Sequence, residues 1–257
     1  MRAQTLAPAA GLRWLLGGFA IYRRNPVPLA LLVLAYWFTV IFLNVLPVLG
    51  ALAASLAIPG LSVGLMQAAR NIERGVPVGL PTLFGSFRDN PRTLFALGAL
   101  YLCCTLGVLG LSTLADGGDL LRYLLANSRA ERAAVEDADF LLPGLVVAGL
   151  MLPVLMAWWF APVLAAWHRL TLGKSLFFSF VACAMNWRPF LAYGLGLMLL
   201  SGVLPGLLLG VLLILFPATP DLAISILMAP ILLIVAPVTF ASFYAGYREI
   251  FGISEIV

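Results

Sequence analysis

The chain has 257 residues, of which 63% are hydrophobic and 10% charged, where an ordinary globular domain carries about 25% charged residues. That composition excludes a disordered chain and a water-soluble domain. The apolar runs are also too long for a porin-type barrel, whose strands alternate apolar and polar over about ten residues.

The uncharged stretches set the class. They cover 25–69, 93–115, 140–168, 189–220 and 222–247, or 45, 23, 29, 32 and 26 residues. A bilayer core needs about 20 apolar residues per helix. The first stretch holds two such lengths, divided at Leu46-Pro47-Val48-Leu49-Gly50. Six membrane helices follow, in one membrane domain covering 1–257.

In chain order, the segment 9–24 comes first. Leu12, Leu15, Leu16 and Phe19 fall at i, i+3, i+4 and i+7 beside Arg13, Arg23 and Arg24. The pattern predicts an amphipathic helix lying in the membrane interface rather than a cleaved signal peptide. Hairpin 1 takes 26–70. Hairpin 2 takes 80–169, opening with a short stretch carrying Leu80, Leu83, Phe84 and Phe87, and includes the outer loop 115–139. That loop has six acids and three arginines and reads as a solvated cover over the bundle. Hairpin 3 takes 175–248, opening with Phe177, Phe180, Val181 and Ala184 at helical spacing.

These elements repeat. Phe19, Phe84 and Phe180 each stand six residues before an asparagine: Asn25, Asn90 and Asn186. Proline follows each asparagine within three residues, at Pro26, Pro91 and Pro189. Asparagine followed by proline is a helix start, because the side chain accepts a bond from a free N–H of the first turn and proline has none to lose. The fold expected is therefore all-α: six transmembrane helices in three parallel hairpin repeats, each preceded by a short cytoplasmic interfacial helix. Asn25, Asn90 and Asn186 are the expected helix caps. The looser spacing at Asn186 predicts a smaller capping effect there than at Asn25 or Asn90.

Charge orients the chain. Alternating sides at each span puts twelve of the fifteen basic residues on the side of the termini and three on the other. The positive-inside rule then places both termini in the cytoplasm. Fourteen of the fifteen basic residues are arginine, a bias that points to a GC-rich bacterial source. Arg23, Arg24, Arg88, Arg92 and Arg188 stand at the starts of the outward spans and read as a collar for lipid headgroups.

Return spans carry internal prolines, among them Pro59, Pro153, Pro162, Pro230 and Pro237, which kink helices. Gly60-x-x-x-Gly64 and Gly206-x-x-x-Gly210 permit close helix approach. Trp158 and Trp159 read as buried between helices. Cys103, Cys104 and Cys183 read as small packing residues.

Much chemistry is missing from the pattern. No charge lies near the middle of a span, which disfavours ion coupling through a carboxylate relay. The single histidine, His168, is twelve residues from Met156, about 18 Å along a helix, too far for a shared metal. No nucleophile–base set, GxSxG, Walker loop, HExxH or CxxC is present. The reading is no catalytic or metal site, no cofactor and no nucleic-acid partner.

Several motifs together resemble a known family: Arg23-Arg24-Asn25-Pro26, Ile72-Glu73-Arg74-Gly75, Trp159-Phe160-Ala161-Pro162 with His168, Ser179-Phe180 with Asn186, Pro189-Phe190 and Tyr193-Gly194. The chain resembles an uncharacterised family of six-span inner-membrane proteins of β-proteobacteria. It is distantly similar to the membrane domain attached to some glycerophosphodiester phosphodiesterases. The resemblance spans about 10–250 and implies the topology and the hairpin repeat, with no catalytic or binding residues.

The function expected is a non-enzymatic scaffold or accessory subunit in the bacterial inner membrane, binding lipid and a membrane-protein partner or a second copy of itself. The alternative is a transporter or channel for an uncharged or amphipathic solute. A continuous polar-lined cavity would favour the alternative, and a solid core with an exposed apolar groove would favour the scaffold.

Overall fold

The computed structural model describes residues 3–46, 49–126 and 140–252. Most of the polar loop 115–139, namely 127–139, and part of the first hairpin turn, 47–48, lie outside the described residues. Those described form helices joined by turns, without strands.

Helix α1 covers Ala10–Arg24, α2 Pro26–Leu43 and α3 Leu49–Glu73. A short α4, Leu80–Gly85, runs into a 3-10 turn at Ser86–Arg88. Then come α5, Pro91–Asp116, and α6, Asp119–Leu125. The fourth span breaks into α7, Leu141–Trp158, and α8, Ala161–Trp167. Helix α9 is Leu172–Met185. The fifth span joins α10, Trp187–Met198, to α11, Leu204–Leu215, through π-helical turns at Leu199–Val203. The sixth joins α12, Pro220–Pro230, to α13, Ala236–Phe251, through a second π stretch, Ile231–Val235. Six helices are long and apolar enough to cross a membrane: Pro26–Leu43, Leu49–Glu73, Pro91–Asp116, Leu141–Trp167, Trp187–Leu215 and Pro220–Phe251.

The irregularities follow from missing donors. Each π stretch ends two residues before a proline, Pro205 or Pro237. Proline cannot donate to the carbonyl one turn back, and a membrane helix must find that carbonyl another partner. For Pro237 that carbonyl is Leu233, and the Tyr22 hydroxyl of α1 donates to it at 2.9 Å. The break in span 4 has a second cause. Phe160 N–H should bond Met156 C=O, but the Ser179 hydroxyl of α9 stands between them. It accepts from Phe160 at 2.9 Å and donates to Met156 at 2.8 Å, an inserted group of the kind that kinks helices.

The three short helices before spans 1, 3 and 5 each pack on an even-numbered span: α1 on α13, α4 on α3, and α9 on α7 and α8. The contacts are backbone-close. A Cβ on Gly18 would lie 2.5 Å from the Val238 carbonyl, and one on Gly64 would lie 2.1 Å from the Leu83 carbonyl. The Ser86 hydroxyl donates to Gly60 C=O at 2.5 Å. So Gly60-x-x-x-Gly64 does receive a close neighbour. Around Gly206 and Gly210, by contrast, a Cβ would meet nothing within 4 Å.

The faces these helices bury differ from the apolar stripes in the sequence. Helix α1 buries Ala10, Gly11, Trp14, Gly18 and Ile21, while Leu12, Leu16 and Phe19 are exposed. Helix α9 buries Ser175, Ser179, Ala182 and Cys183. Phe19, Phe84 and Phe180 are 44%, 45% and 40% exposed. Small and hydroxyl residues let backbones close up against the protein, and large apolar residues lose nothing by facing hydrocarbon.

The asparagine caps need correcting. Asn25, Asn90 and Asn186 directly precede spans 1, 3 and 5, but none makes a side-chain bond to its first turn. Asn90 Nδ2 instead donates to Ala165 C=O at 3.1 Å and Leu170 C=O at 3.3 Å, across to the end of span 4. Asn186 is fully buried. It accepts from Leu6 N–H at 2.9 Å and donates to the Gln4 and Ala182 carbonyls at 2.9 Å each. At Asn90, which is half-buried, and at Asn186, which is buried, partners on other elements take the place of the local cap.

Candidate functional site at the basic end

The ends of the spans nearest the termini converge in a polar and aromatic layer. Glu73 closes α3, and its side chain is 10% exposed. Arg248 of α13 pairs with its Oε1, and the Tyr244 hydroxyl donates to its Oε2 at 2.8 Å. Arg24 donates to the Glu73 main-chain carbonyl at 2.8 Å, meeting a carbonyl that helix α3 leaves without a partner. Glu73 thus ties together three helices, its carboxylate joining α3 to α13 and its main-chain carbonyl joining α3 to α1.

A second tie lies beside it. His168 Nε2 is 2.6 Å from the Tyr247 hydroxyl, and Trp167 meets the Tyr247 ring edge-on at 5.2 Å. The Arg70 guanidinium stacks 4.8 Å above the Trp167 ring, within cation–π range. Desolvation of the packed edge, and then the Arg70 charge, lower the His168 pKa from its ordinary value. Arg169, which follows, has φ +50° and is the one described non-glycine residue with positive φ.

The terminal segments close the layer. Glu249 accepts from Arg13 at 2.5 Å and from Trp14 Nε1 at 2.8 Å, and Gln4 N–H donates to Ile250 C=O at 2.8 Å. Cys183 lies beneath, its thiol pushed up to about 12 by burial. That keeps it protonated and unreactive.

Above the layer, a cavity of about 240 Å³ lies between spans 2, 3, 4 and 6. Ser55, Ser62, Tyr101, Trp158, Trp159 and Phe243 are among its lining. Trp158 and Trp159 therefore line an internal space rather than only packing between helices. Trp158 Nε1 donates to Leu97 C=O at 3.0 Å, and Trp159 meets Phe243 edge-on at 5.1 Å.

The structure places Arg23, Arg24, Arg88, Arg92 and Arg188 at the starts of α2, α5 and α10, all exposed. Arg23 lies over Phe19 at 5.9 Å and Arg188 over Trp187 at 5.2 Å. Arg24 is engaged with Glu73 as well. Among the described residues, no group of three or more His, Cys, Asp or Glu is placed to hold a metal ion.

Sequence reasoning missed the Glu73–Arg248–Tyr244 cluster. A faint signal existed: Tyr244 and Arg248 fall at i and i+4, so they share one face of a helix. Their partner Glu73 is 171 residues away from Tyr244, and no spacing rule reaches that far.

No protein-family model matches the chain, and no solved structure matches it. The chain is 34% identical over 262 residues to a probable inner membrane protein of Burkholderia thailandensis, with 99% of this chain and 96% of that one covered. The likeness to the membrane domain of glycerophosphodiester phosphodiesterases finds no support in these comparisons. The near-complete coverage and the six apolar helices agree: the chain is a multi-pass inner-membrane protein and belongs to the family of this Burkholderia protein.

Proposed function

We propose that the protein is a non-enzymatic scaffold or accessory subunit, with both termini cytoplasmic, that engages a membrane-protein partner through hairpin 3. The observation that carries this reading is the outer half of that hairpin. Helices α11 and α12 pack on each other and on their own π stretches, and contribute little to the rest of the bundle. Gly202, Gly206 and Gly210 form a stripe at i, i+4 and i+8 with open space in front of each, the pattern that lets a second helix approach closely. The basic end, with its collar of Arg23, Arg24, Arg88, Arg92 and Arg188, supplies the lipid-facing half of the role. The 12 to 3 split of basic residues supports the orientation.

The three hairpins are read as parallel repeats, because each short helix packs on a return span. One detail departs from a simple repeat. Ala161-Pro162-Val163 and Ala236-Pro237-Val238 match in sequence, yet Ser179 meets Met156 and Phe160 whereas Gly18 meets Val238 and Ser242. The two contacts fall on opposite sides of the matched prolines.

The alternative, transport of an uncharged or amphipathic solute, draws on the cavity beside Trp158 and Trp159. A mild-detergent pull-down with identification of both protein and lipid separates the two. The scaffold reading expects a stoichiometric membrane protein lost on Gly206→Leu. Recovery of the same material from wild type and Gly206→Leu contradicts it.

A further inference from the structure

We propose that the groove between the end of span 4 and helix α9 holds one anionic phospholipid, its phosphate at Lys174 and His168 and an acyl chain along Phe177 and Phe178. This rests on the lipid-binding half of the function above and gives it a place distinct from the arginine collar. The groove is about 520 Å³ and is lined by His168, Leu170, Gly173, Lys174, Phe177 and Phe178.

Its chemistry is graded in one direction. Lys174, Phe177 and Phe178 fall at i, i+3 and i+4 of α9, so a cation and two aromatic rings share one helix face. Leu170 extends the apolar wall. Phe177 is 63% exposed although it is large and apolar, a cost in water that vanishes against an acyl chain. Lys174, the chain's single lysine, has no ion-pair partner among the described residues, and no carboxylate lines the groove. That favours an anionic headgroup over one carrying an ammonium group.

His168 adds a directed contact. Tyr247 occupies its Nε2. With Tyr247 donating there, the neutral ring carries its proton on Nδ1, a donor for a phosphate oxygen. A free phosphate ion would use Lys174 and His168 but would leave Leu170, Phe177 and Phe178 uncovered. A phospholipid satisfies both parts of the groove.

The test uses full-length protein in nanodiscs of equal phosphatidylglycerol and phosphatidylcholine, transferred to detergent, with retained lipid counted by native mass spectrometry. Wild type should retain phosphatidylglycerol preferentially. Lys174→Glu and the milder Lys174→Gln should lower that preference about fivefold, the size of one surface cation's attraction to anionic lipid. Phe177→Ala should lower retention of both lipids. Unchanged preference in both Lys174 variants overturns the site. If the preference falls only when the five collar arginines become Gln, the groove assignment fails while lipid binding as such stands. Excess inorganic phosphate should leave the bound lipid in place. Displacement would mean that the headgroup contact alone holds the lipid and would overturn the placement of an acyl chain along Phe177 and Phe178.

Discussion

The two ends of hairpin 3 obey different rules. At the basic end, α10 and α13 are gripped by α1: a Cβ on Gly11 would lie 2.1 Å from the Pro189 carbonyl, and Gly246 packs on the Trp14 ring. Tyr193, Tyr247 and Ile250 are buried there. At the other end, Gly202, Gly206 and Gly210 of the same hairpin face open space, and Ile214 is 80% exposed. Glycine at the first end is a packing device already in use. Glycine at the second is the same device without a neighbour. Lipid hydrocarbon is as apolar as leucine, so in a bilayer exposed apolar area carries little information and the fit of small residues carries more.

Substitutions at the two kinds of glycine should break the comparison most visibly. Gly64→Ala drives a methyl into the Leu83 backbone, which cannot swing aside, and should cost about 3 kcal/mol. Gly206→Ala should stay within about 0.5 kcal/mol. Thermal unfolding in mild detergent measures both, and equal shifts would remove the distinction.

The asparagines come next. Asn186→Ala leaves three backbone groups, one buried and two half-buried, without their side-chain partner and should cost about 2 kcal/mol. Asn90→Ala should cost about 1–2 kcal/mol, and Asn25→Ala less than about 0.5 kcal/mol. This ordering reverses the one that capping predicts.

Glu73→Gln removes the charge facing Arg248. A fully buried pair would lose about 3–5 kcal/mol. Arg248 is 37% exposed, so solvent screening reduces the expected loss to about 2 kcal/mol. A double-mutant cycle with Arg248→Gln reads the coupling directly.

The smallest effect is at His168. Its folded pKa lies below the unfolded value of 6.5, so the unfolded chain takes up the proton more readily. Stability from the neutral ring is therefore present above about pH 6.5 and is lost as pH falls through 6.5 toward the lowered value. The melting midpoint should drop between pH 7.5 and 5.5 by more in wild type than in His168→Gln, taking roughly those values around the unperturbed histidine range.

Orientation can be read with single cysteines in a Cys-less background. Gly75 and Gly118 have φ +70° and +99°, so reporters there would strain the turns. Val76 and Leu114, both exposed, serve instead. An impermeant reagent outside intact cells should reach Leu114→Cys and spare Val76→Cys. The reverse pattern would invert the chain.

The number of spans was legible in the sequence, because charges interrupt apolar runs and a bilayer sets the required length. The short helices were legible as helices but not in their facing. In α1 the stripe Leu12, Leu16 and Phe19 stays exposed along a groove beside spans 5 and 6, while Gly11, Trp14 and Gly18 are buried, since the packing face is chosen by closeness of approach rather than by hydropathy. The asparagines were legible as positions and misread as caps. The partners of Asn186, Gln4 and Leu6, are 182 and 180 residues away, beyond any local rule. Glu73, Tyr244 and Arg248 stayed hidden for the same reason.

The most direct test of the central claim is a photo-crosslinking residue placed in native membranes at Leu213, on the glycine face of α11, and at Leu208 on its opposite face. A partner-binding hairpin predicts a discrete protein adduct from Leu213 and lipid adducts alone from Leu208. Lipid adducts alone from Leu213 would contradict it, leaving the glycine stripe bare in the bilayer.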